Sequence, residues 1–224
     1  DLNHCVSDCQ QSASAVQVQT AEGLELCADA LVGADGLWSR VRQCLLADSA
    51  PRVTGHLAYR AMLPQSELPA HLRSDVVTAW MGPRLHVVQY PVRCGEWLNV
   101  VAVVQGDLVQ RDAQNWDHQA RADDLRQALS TAHAHRQLQD LVRAITHWRL
   151  WALCDRPPMT GAFQQAQGRV ALLGDAAHPM RPYLAQGAGM AIEDAAELET
   201  QFKSGTDAVP ARLQRYAQAR WQRN

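Results

Sequence analysis

GRVALLGDAAHPMRPYLAQGAGMAIEDAAEL, residues 168–198, decides how the rest of the chain is read. It opens on an apolar run ending in Gly174-Asp175, the way a buried parallel strand finishes at a ligand-facing loop. A carboxylate delivered there can accept hydrogen bonds from the sugar hydroxyls of a nucleotide. The loop that follows is stiffened by Pro179 and Pro182, which also lack amide donors, so it can lie flat against a ring. Gly187 and Gly189 permit close backbone approach and open a helix whose first amides suit an anionic group. On that helix Ala188, Ala191, Ile192, Ala195, Leu198 and Phe202 are expected to form the inner stripe, with Glu193, Asp194, Glu197 and Glu199 off it.

Upstream the same pattern occurs once more. LCADALVGADG, residues 26–36, is expected to be a second buried parallel strand, ending in Gly-x-Asp-Gly. The segment 38–46, WSRVRQCLL, follows as a helix with Ser39 near its start and Val41, Leu45 and Leu46 facing inward. Before it, alternation at Leu2, His4 and Val6, then at Val16 and Val18, and a Glu22-Gly23 turn predict a β-meander. Between the two units lie HLAYRAML, DVVTAWM, RLHVVQYPV and EWLNVVAVVQ, strand-like runs without intervening helices, which indicate an antiparallel sheet. Helical spacing over 120–147, a strand WRLWALCD, and a last helix near Pro210 complete the chain. The expectation is an α/β nucleotide-binding domain in two parts, residues 1–52 and 150–224, interrupted by an antiparallel-sheet domain over 53–149. A cleft between such domains is a common place for a substrate.

Composition removes several other classes. Hydrophobic residues make up 47% and charged residues 20%, the balance of an ordinary globular protein. A net charge of −2 carries no basic excess, so no nucleic-acid partner is expected. No apolar run approaches the roughly 18 residues that span a bilayer, and no signal peptide is present, so no membrane partner is expected. Cys5, Cys9, Cys27, Cys44, Cys94 and Cys154 lack CxxC pairing, which points to reduced thiols in a cytoplasmic protein and to no metal site.

Residues 174–194 resemble the GD motif, GDAAHxxxPxxxxGxxxxxxD, of the class A, single-component FAD-dependent aromatic hydroxylases. Within that family HPMRPYLAQGAGMAIEDA is similar to the salicylate and 3-hydroxybenzoate hydroxylase branch. ADALVGADGLWSRVR, residues 28–42, resembles the family's DG motif, chhhssDGxxSxxR. The resemblance implies an FAD-binding domain of the para-hydroxybenzoate hydroxylase type with a substrate domain inserted in it. It implies Asp35, Gly36 and Arg42 beside the cofactor at the first motif, where Ser39 and Arg42 also hold the turn by local hydrogen bonds. At the second it implies Gly174, Asp175, Pro182, Gly187, Ala188, Gly189 and Met190 beside the cofactor, with His178 holding the loop rather than moving a proton.

His86 and Tyr90 lie four apart in RLHVVQYPV and, with a period of two, share one strand face. The branch has such a pair lining the substrate pocket, with a glutamine just before the helix glycine, here Gln186. His86 would take a phenol proton, and Tyr90 or Gln186 would orient a hydroxyl or carboxylate. Arg60, in the Tyr59-Arg60 pair, either binds a carboxylate or braces the domain junction, with bracing preferred. His133, His135 and His147 are expected to be solvated.

By resemblance the activity is hydroxylation of a phenolic aromatic acid with NADH or NADPH and O2, through a flavin C4a-hydroperoxide, in an enzyme that is a candidate homodimer. Two rivals are a same-fold oxygenase with another substrate, such as an epoxidase or an antibiotic-modifying enzyme, and a piece that folds without holding flavin. The second arises because no GxGxxG occurs anywhere in the sequence: Gly187-Ala188-Gly189 is followed by Ile192 at the third glycine position. The chain starts at Asp1 without methionine and stops at Asn224 inside a helical pattern, so both ends are expected to be cut, with the glycine loop upstream.

Overall fold

The structure is a computed structural model that describes residues 3–106, 113–115, 118–120, 122–203 and 207–223; Asp1 and Asn224 lie outside the described residues. In chain order the elements are β1 (Val6–Gln11), β2 (Val16–Thr20), β3 (Glu25–Ala28), β4 (Leu31–Gly33), α1 (Arg40–Leu46), β5 (Arg52–Pro64), β6 (Thr78–Gly82), β7 (Leu85–Val92) and β8 (Trp97–Gln105). There follow β9 (His118–Ala120), α2 (Ala122–Thr131), α3 (Arg136–Ala144), β10 (Trp148–Asp155), β11 (Ala166–Gln167), β12 (Val170–Leu172), α4 (Gly187–Lys203) and α5 (Val209–Arg220). Contacts cluster into two units, residues 1–52 with 155–224 and residues 53–154.

The first unit holds two small sheets. The meander β1-β2-β3 is antiparallel, and a second sheet has the order β11-β12-β4. In the latter, β12 runs parallel to β4, pairing Val170 with Leu31 and Leu172 with Gly33. The apolar run 26–36 is therefore not one strand, as its composition implied. Leu26 and Cys27 pair with Val18 and Gln17 of the meander, and only Leu31–Gly33 reaches the parallel sheet. Arg169 marks the division: its guanidinium donates to the Asp29 carbonyl at 2.8 Å, and its own carbonyl accepts the Leu31 amide at 2.9 Å.

Alternation along β12 gives this sheet two working faces. Val170 and Leu172 join Val16, Val18 and Val41 in one core, while Ala171 packs with Leu213, Tyr216 and Ala217 of α5 in another. Tyr216 is fully buried and satisfies its hydroxyl by donating to the Leu172 carbonyl at 2.8 Å. Where β4 meets α1 there is no room for a side chain: a Cβ on Gly33 would lie 2.7 Å from the Cβ of Val41. Gly33→Ala must push helix and strand apart, and we expect a loss of about 1–3 kcal/mol, typical of overpacking, readable as a shift in the urea midpoint.

The second unit is one sheet of order β6-β7-β8-β5-β10-β9. Opposed residues share a face, so register sorts the side chains. Leu85, Val87, Val100, Ala102, Leu57, Tyr59 and Ala61 are buried on one face. Trp80 belongs to that face and stacks on His135 at the N-terminus of α3, with 5.7 Å between centroids, so the helix pair covers this side. His135 was expected to be solvated; it is exposed, yet its ring also caps α3 by accepting the Gln137 amide. The opposite face carries His86, Val88 and Tyr90 from β7, Asn99, Val101 and Val103 from β8, and Arg60 and Met62 from β5.

Helix α4 begins at Gly187, as the glycines foretold, but it is rotated from the expected stripe. Ile192 is 71% exposed and Phe202 38%, and Ala188 and Ala195 are exposed too. The buried residues are Met190 and Asp194, with Glu197, Leu198 and Gln201 half-buried along the same line. Polar pairing, not side-chain hydrophobicity, chose the inward side.

Candidate active site

Asp35 ends the loop after β4 and caps α1. Its Oδ2 accepts the amides of Arg40 at 2.7 Å and Val41 at 3.1 Å, and its Oδ1 accepts the Ser39 hydroxyl at 2.5 Å. Ser39 Oγ in turn accepts the Arg42 amide at 2.9 Å. These bonds satisfy the orphan donors of the first turn and put a negative charge at the positive end of the helix. The Asp35 carboxylate, expected beside a cofactor, accepts all three of these bonds from within the protein. Gly36 is what the turn leaves bare, with φ +76° and nothing within 4 Å of where a Cβ would stand.

Arg42 is 3% exposed and joins the two motifs. Its Nε donates to Asp48 at 2.7 Å, and its Nη1 donates to the carbonyls of Ala176 and Ala177 at 3.1 and 2.7 Å. The other oxygen of Asp48 accepts from Arg156 at 3.1 Å, and Arg156 also donates to the carbonyls of Ser49 at 2.6 Å and Leu37 at 3.1 Å. Burial, reinforced by the charge of Arg42, pushes the Arg156 guanidinium below its usual range against the pull of Asp48. Arg42 was expected beside a cofactor and holding the turn; its amide does join the Ser39 turn, and its guanidinium clasps two loops 134 residues apart in sequence.

Asp194 organises the second motif from beneath. It has no exposed surface, and its Oδ2 accepts the Gly174 amide at 3.0 Å and His178 Nε2 at 2.5 Å. Its Oδ1 accepts from Arg220 of α5 at 2.7 Å. Burial alone would raise this carboxyl, but the bonds from His178, Arg220 and Gly174 outweigh it and hold it below the usual aspartate range. Gly174 itself has φ +59°, and a Cβ there would stand 3.1 Å from that of Ala191 on α4. The turn after β12 is thus fixed by one amide, one imidazole and one close helix contact.

Asp175 is the exposed member of that turn. Its Oδ1 lies 3.9 Å from the Cβ position of Gly187, at the first turn of α4. The helix ladder starts with Met190 donating to the Gln186 carbonyl at 2.9 Å, so the amides of Gly187, Ala188 and Gly189 have no partner in the helix. Nothing stands within 4 Å of the Cβ position of Gly189. Pro182, Gln186, Ala188 and Gly189 are exposed, whereas Met190 is buried beside Asp194 and presents no side chain outward.

In the second unit His86 is half-buried and Tyr90 is 36% exposed, on one face of β7. They oppose Val103 and Asn99 of β8. Four residues of strand separate their Cα atoms by about 13 Å, so they can meet one aromatic molecule only from its two ends.

Asp48, Arg156, Asp194 and Arg220 carry the architecture and were not singled out from the sequence. Asp48 and Arg156 stand in stretches that read as plain turns, with no local signal. For Asp194 a signal existed, since it occupies the last aspartate of the GD pattern.

An exposed carboxylate at the end of a parallel strand, beside bare amides at a helix start, defines a nucleotide-cofactor domain. The chain belongs to the FAD binding domain family, which matches residues 3–224. It is 41% identical over 193 residues to 3-hydroxybenzoate 6-hydroxylase 1 of Aquipseudomonas alcaligenes, covering 86% of this chain and 47% of that protein. To the 3-hydroxybenzoate 6-hydroxylase of Polaromonas naphthalenivorans (strain CJ2) it is 36% identical, covering 94% of this chain and 50% of that one. Among solved structures a salicylate hydroxylase substrate complex superposes with a TM-score of 0.83 at 32% identity, covering 100% of this chain and 58% of that chain. Klebsiella pneumoniae HpxO complexed with FAD and uric acid gives a TM-score of 0.80 at 27% identity, covering 98% and 54%. The chain spans about half the length of the curated relatives it matches. Among the described residues no helix is long and apolar enough to cross a membrane.

Proposed function

We propose that this chain serves an FAD-dependent monooxygenase that hydroxylates a phenolic aromatic acid of the salicylate or 3-hydroxybenzoate kind. The balance is one ring hydrogen replaced by hydroxyl while NAD(P)H and a proton are consumed and O2 ends as the new hydroxyl and water. The observation that carries the reading is the pairing of an exposed Asp175 with the bare first turn of α4, in a chain that matches this family along its length.

The residues present fit FAD. Asp175 offers an acceptor for a cofactor hydroxyl, Gly36 and Gly189 leave backbone open to a flat group, and the α4 amides suit a negative edge. Bound flavin would supply the electron transfer from NAD(P)H and the activation of oxygen. The chain's own residues do the rest. Arg42, Asp48 and Arg156 hold the two loops in register, and Asp194 fixes the Gly174 turn so that Asp175 is presented in one position. His86 takes the phenol proton, which makes the ring a better nucleophile, and Tyr90 and Gln186 orient the substrate's polar groups. The protein works in the cytoplasm, with a homodimer as its candidate assembly. The six free cysteines among the described residues support a reducing compartment.

Asp175→Ala tests the cofactor arm. A hydrogen bond to a charged acceptor is worth about 1.5–3 kcal/mol, roughly ten- to a hundredfold in affinity. We expect FAD affinity to fall by that factor while the unfolding midpoint stays put, since Asp175 is exposed. Unchanged FAD affinity would remove Asp175 from the site.

A further inference from the structure

In the first unit, β1 and α1 meet at two cysteines that the flavin chemistry does not use. Cys9 lies opposite Val18 in the meander, and it packs against the core that holds Val16, Val18 and Val41. Cys44 stands three residues after Val41, so it shares that side of α1. The helix is fastened to the strand at this point. Arg40 Nε donates to the Ser7 carbonyl at 2.7 Å, and the Cys44 thiol donates to Asp8 Oδ1 at 3.6 Å. A further hydrogen bond joins the Cys9 and Cys44 side chains. Two sulfurs 35 residues apart in sequence are therefore neighbours across the helix–strand contact.

The surroundings of the two are not alike. Both are half-buried, which leaves each within reach of a small molecule from solvent. Burial first, then the bond to Cys44 and the negative charges nearby, Asp8 and Asp35 among them, push the Cys9 thiol up to about 12. The thiolate is the reactive form, so a sulfur held as thiol is a poor first target for an oxidant. It is well placed for a second step, because a sulfenic acid condenses with a thiol beside it.

We propose that Cys44 and Cys9 are a modification site for hydrogen peroxide, with Cys44 oxidised first and Cys9 resolving it into a disulfide between α1 and β1. In the first step the Cys44 sulfur attacks one peroxide oxygen. The S–O bond forms, the O–O bond breaks, and the thiol proton leaves with the other oxygen as water. In the second step the Cys9 sulfur attacks the Cys44 sulfenic sulfur. The S–S bond forms, the S–O bond breaks, and the hydroxyl leaves as water with the Cys9 proton. Two thiols are oxidised and one peroxide is reduced to two waters. The bond ties the helix capped by Asp35, and with it the Asp35-Gly36 turn, to the meander. In a reducing compartment such a bond is transient, formed under peroxide and removed by thiol reductants. Neither step needs the hydroxylation reaction, so the pair stands or falls separately from the function proposed above.

The test is treatment of the flavin-loaded enzyme with hydrogen peroxide, then alkylation of the remaining thiols and peptide mapping by mass spectrometry. Exposed Cys5, Cys27 and Cys94 calibrate the dose, since they show when peroxide has reached reactive thiols. At that dose a peptide joining Cys9 to Cys44 should form, two hydrogen atoms lighter than its separate parts, and dithiothreitol should undo it. In Cys9→Ser the unresolved Cys44 should go on to sulfinic acid, and in Cys44→Ser Cys9 should stay reduced. The parent decides the matter even where a variant fails to fold. Recovery of Cys9 and Cys44 both alkylated, after the exposed thiols have been oxidised, overturns the proposal. Cys44 sulfinic acid in the parent with Cys9 still alkylated overturns it too, as does oxidation of Cys9 in Cys44→Ser.

Discussion

His86→Ala is expected to uncouple the reaction: NAD(P)H oxidation continues at nearly the parent rate, while hydroxylated product falls and hydrogen peroxide rises to match. The cause is the difference between two steps. Hydride transfer to a flavin does not need an ionised phenol, whereas attack of the ring on an electrophilic oxygen gains from one. A positioned base contributes about 10²–10⁴-fold to a proton-dependent step, so loss of His86 should let the unproductive route to peroxide win. The half-buried place of His86 on the open face of β7, with Tyr90 on the same side, makes it reachable by a ligand. The quantity to measure is hydroxylated product per NAD(P)H consumed, with peroxide quantified alongside. A variant that stays coupled and loses only substrate affinity reduces His86 to a lining residue.

The largest expected stability effect belongs to Asp194→Ala. Removing one partner of a buried pair leaves the other uncompensated and typically costs about 3–5 kcal/mol. Here three donors would lose their acceptor at once: the Gly174 amide, His178 Nε2 and Arg220 Nε. Arg220 keeps Glu193, at 2.9 Å on the solvent side, so the lower end of that range is expected. Against a usual total of about 5–15 kcal/mol the drop is large, and urea denaturation will show it. The sign with pH follows from the depressed carboxyl. Its contribution is complete above the unfolded aspartate value near 3.9 and is lost as pH falls through the lower folded value. The parent should therefore lose stability below about pH 4, and Asp194→Asn should show less of that acid-dependent loss.

What sequence revealed here divides along physical lines. Strand ends, glycines and prolines act through the local backbone, and so the starts of α1, α4 and α5 and the antiparallel order of the middle sheet were legible. The facing of α4 was not. Ranking by hydrophobicity puts Ile192 inside and Asp194 outside, but Asp194 is paid for by Arg220, 26 residues further on, and no local pattern contains that pairing. The split of residues 26–36 between two sheets fails to show for a like reason, because Arg169 from a distant segment draws Leu31 to β12. Ser39 and Arg42 were legible as holders of the turn, but the far partners of Arg42, the carbonyls of Ala176 and Ala177, were not, because they come from a segment 134 residues away.

Oxygen insertion into an aromatic acid is the proposed reaction, and isotope incorporation decides it. The flavin-loaded enzyme would be turned over with NADH or NADPH and 3-hydroxybenzoate or salicylate under oxygen-18 gas, and the product weighed by mass spectrometry. The expected result is a dihydroxylated or newly hydroxylated ring carrying one labelled atom, formed with substrate-stimulated NAD(P)H oxidation. Label confined to water and peroxide, with no hydroxybenzoate stimulating NAD(P)H oxidation, would contradict it.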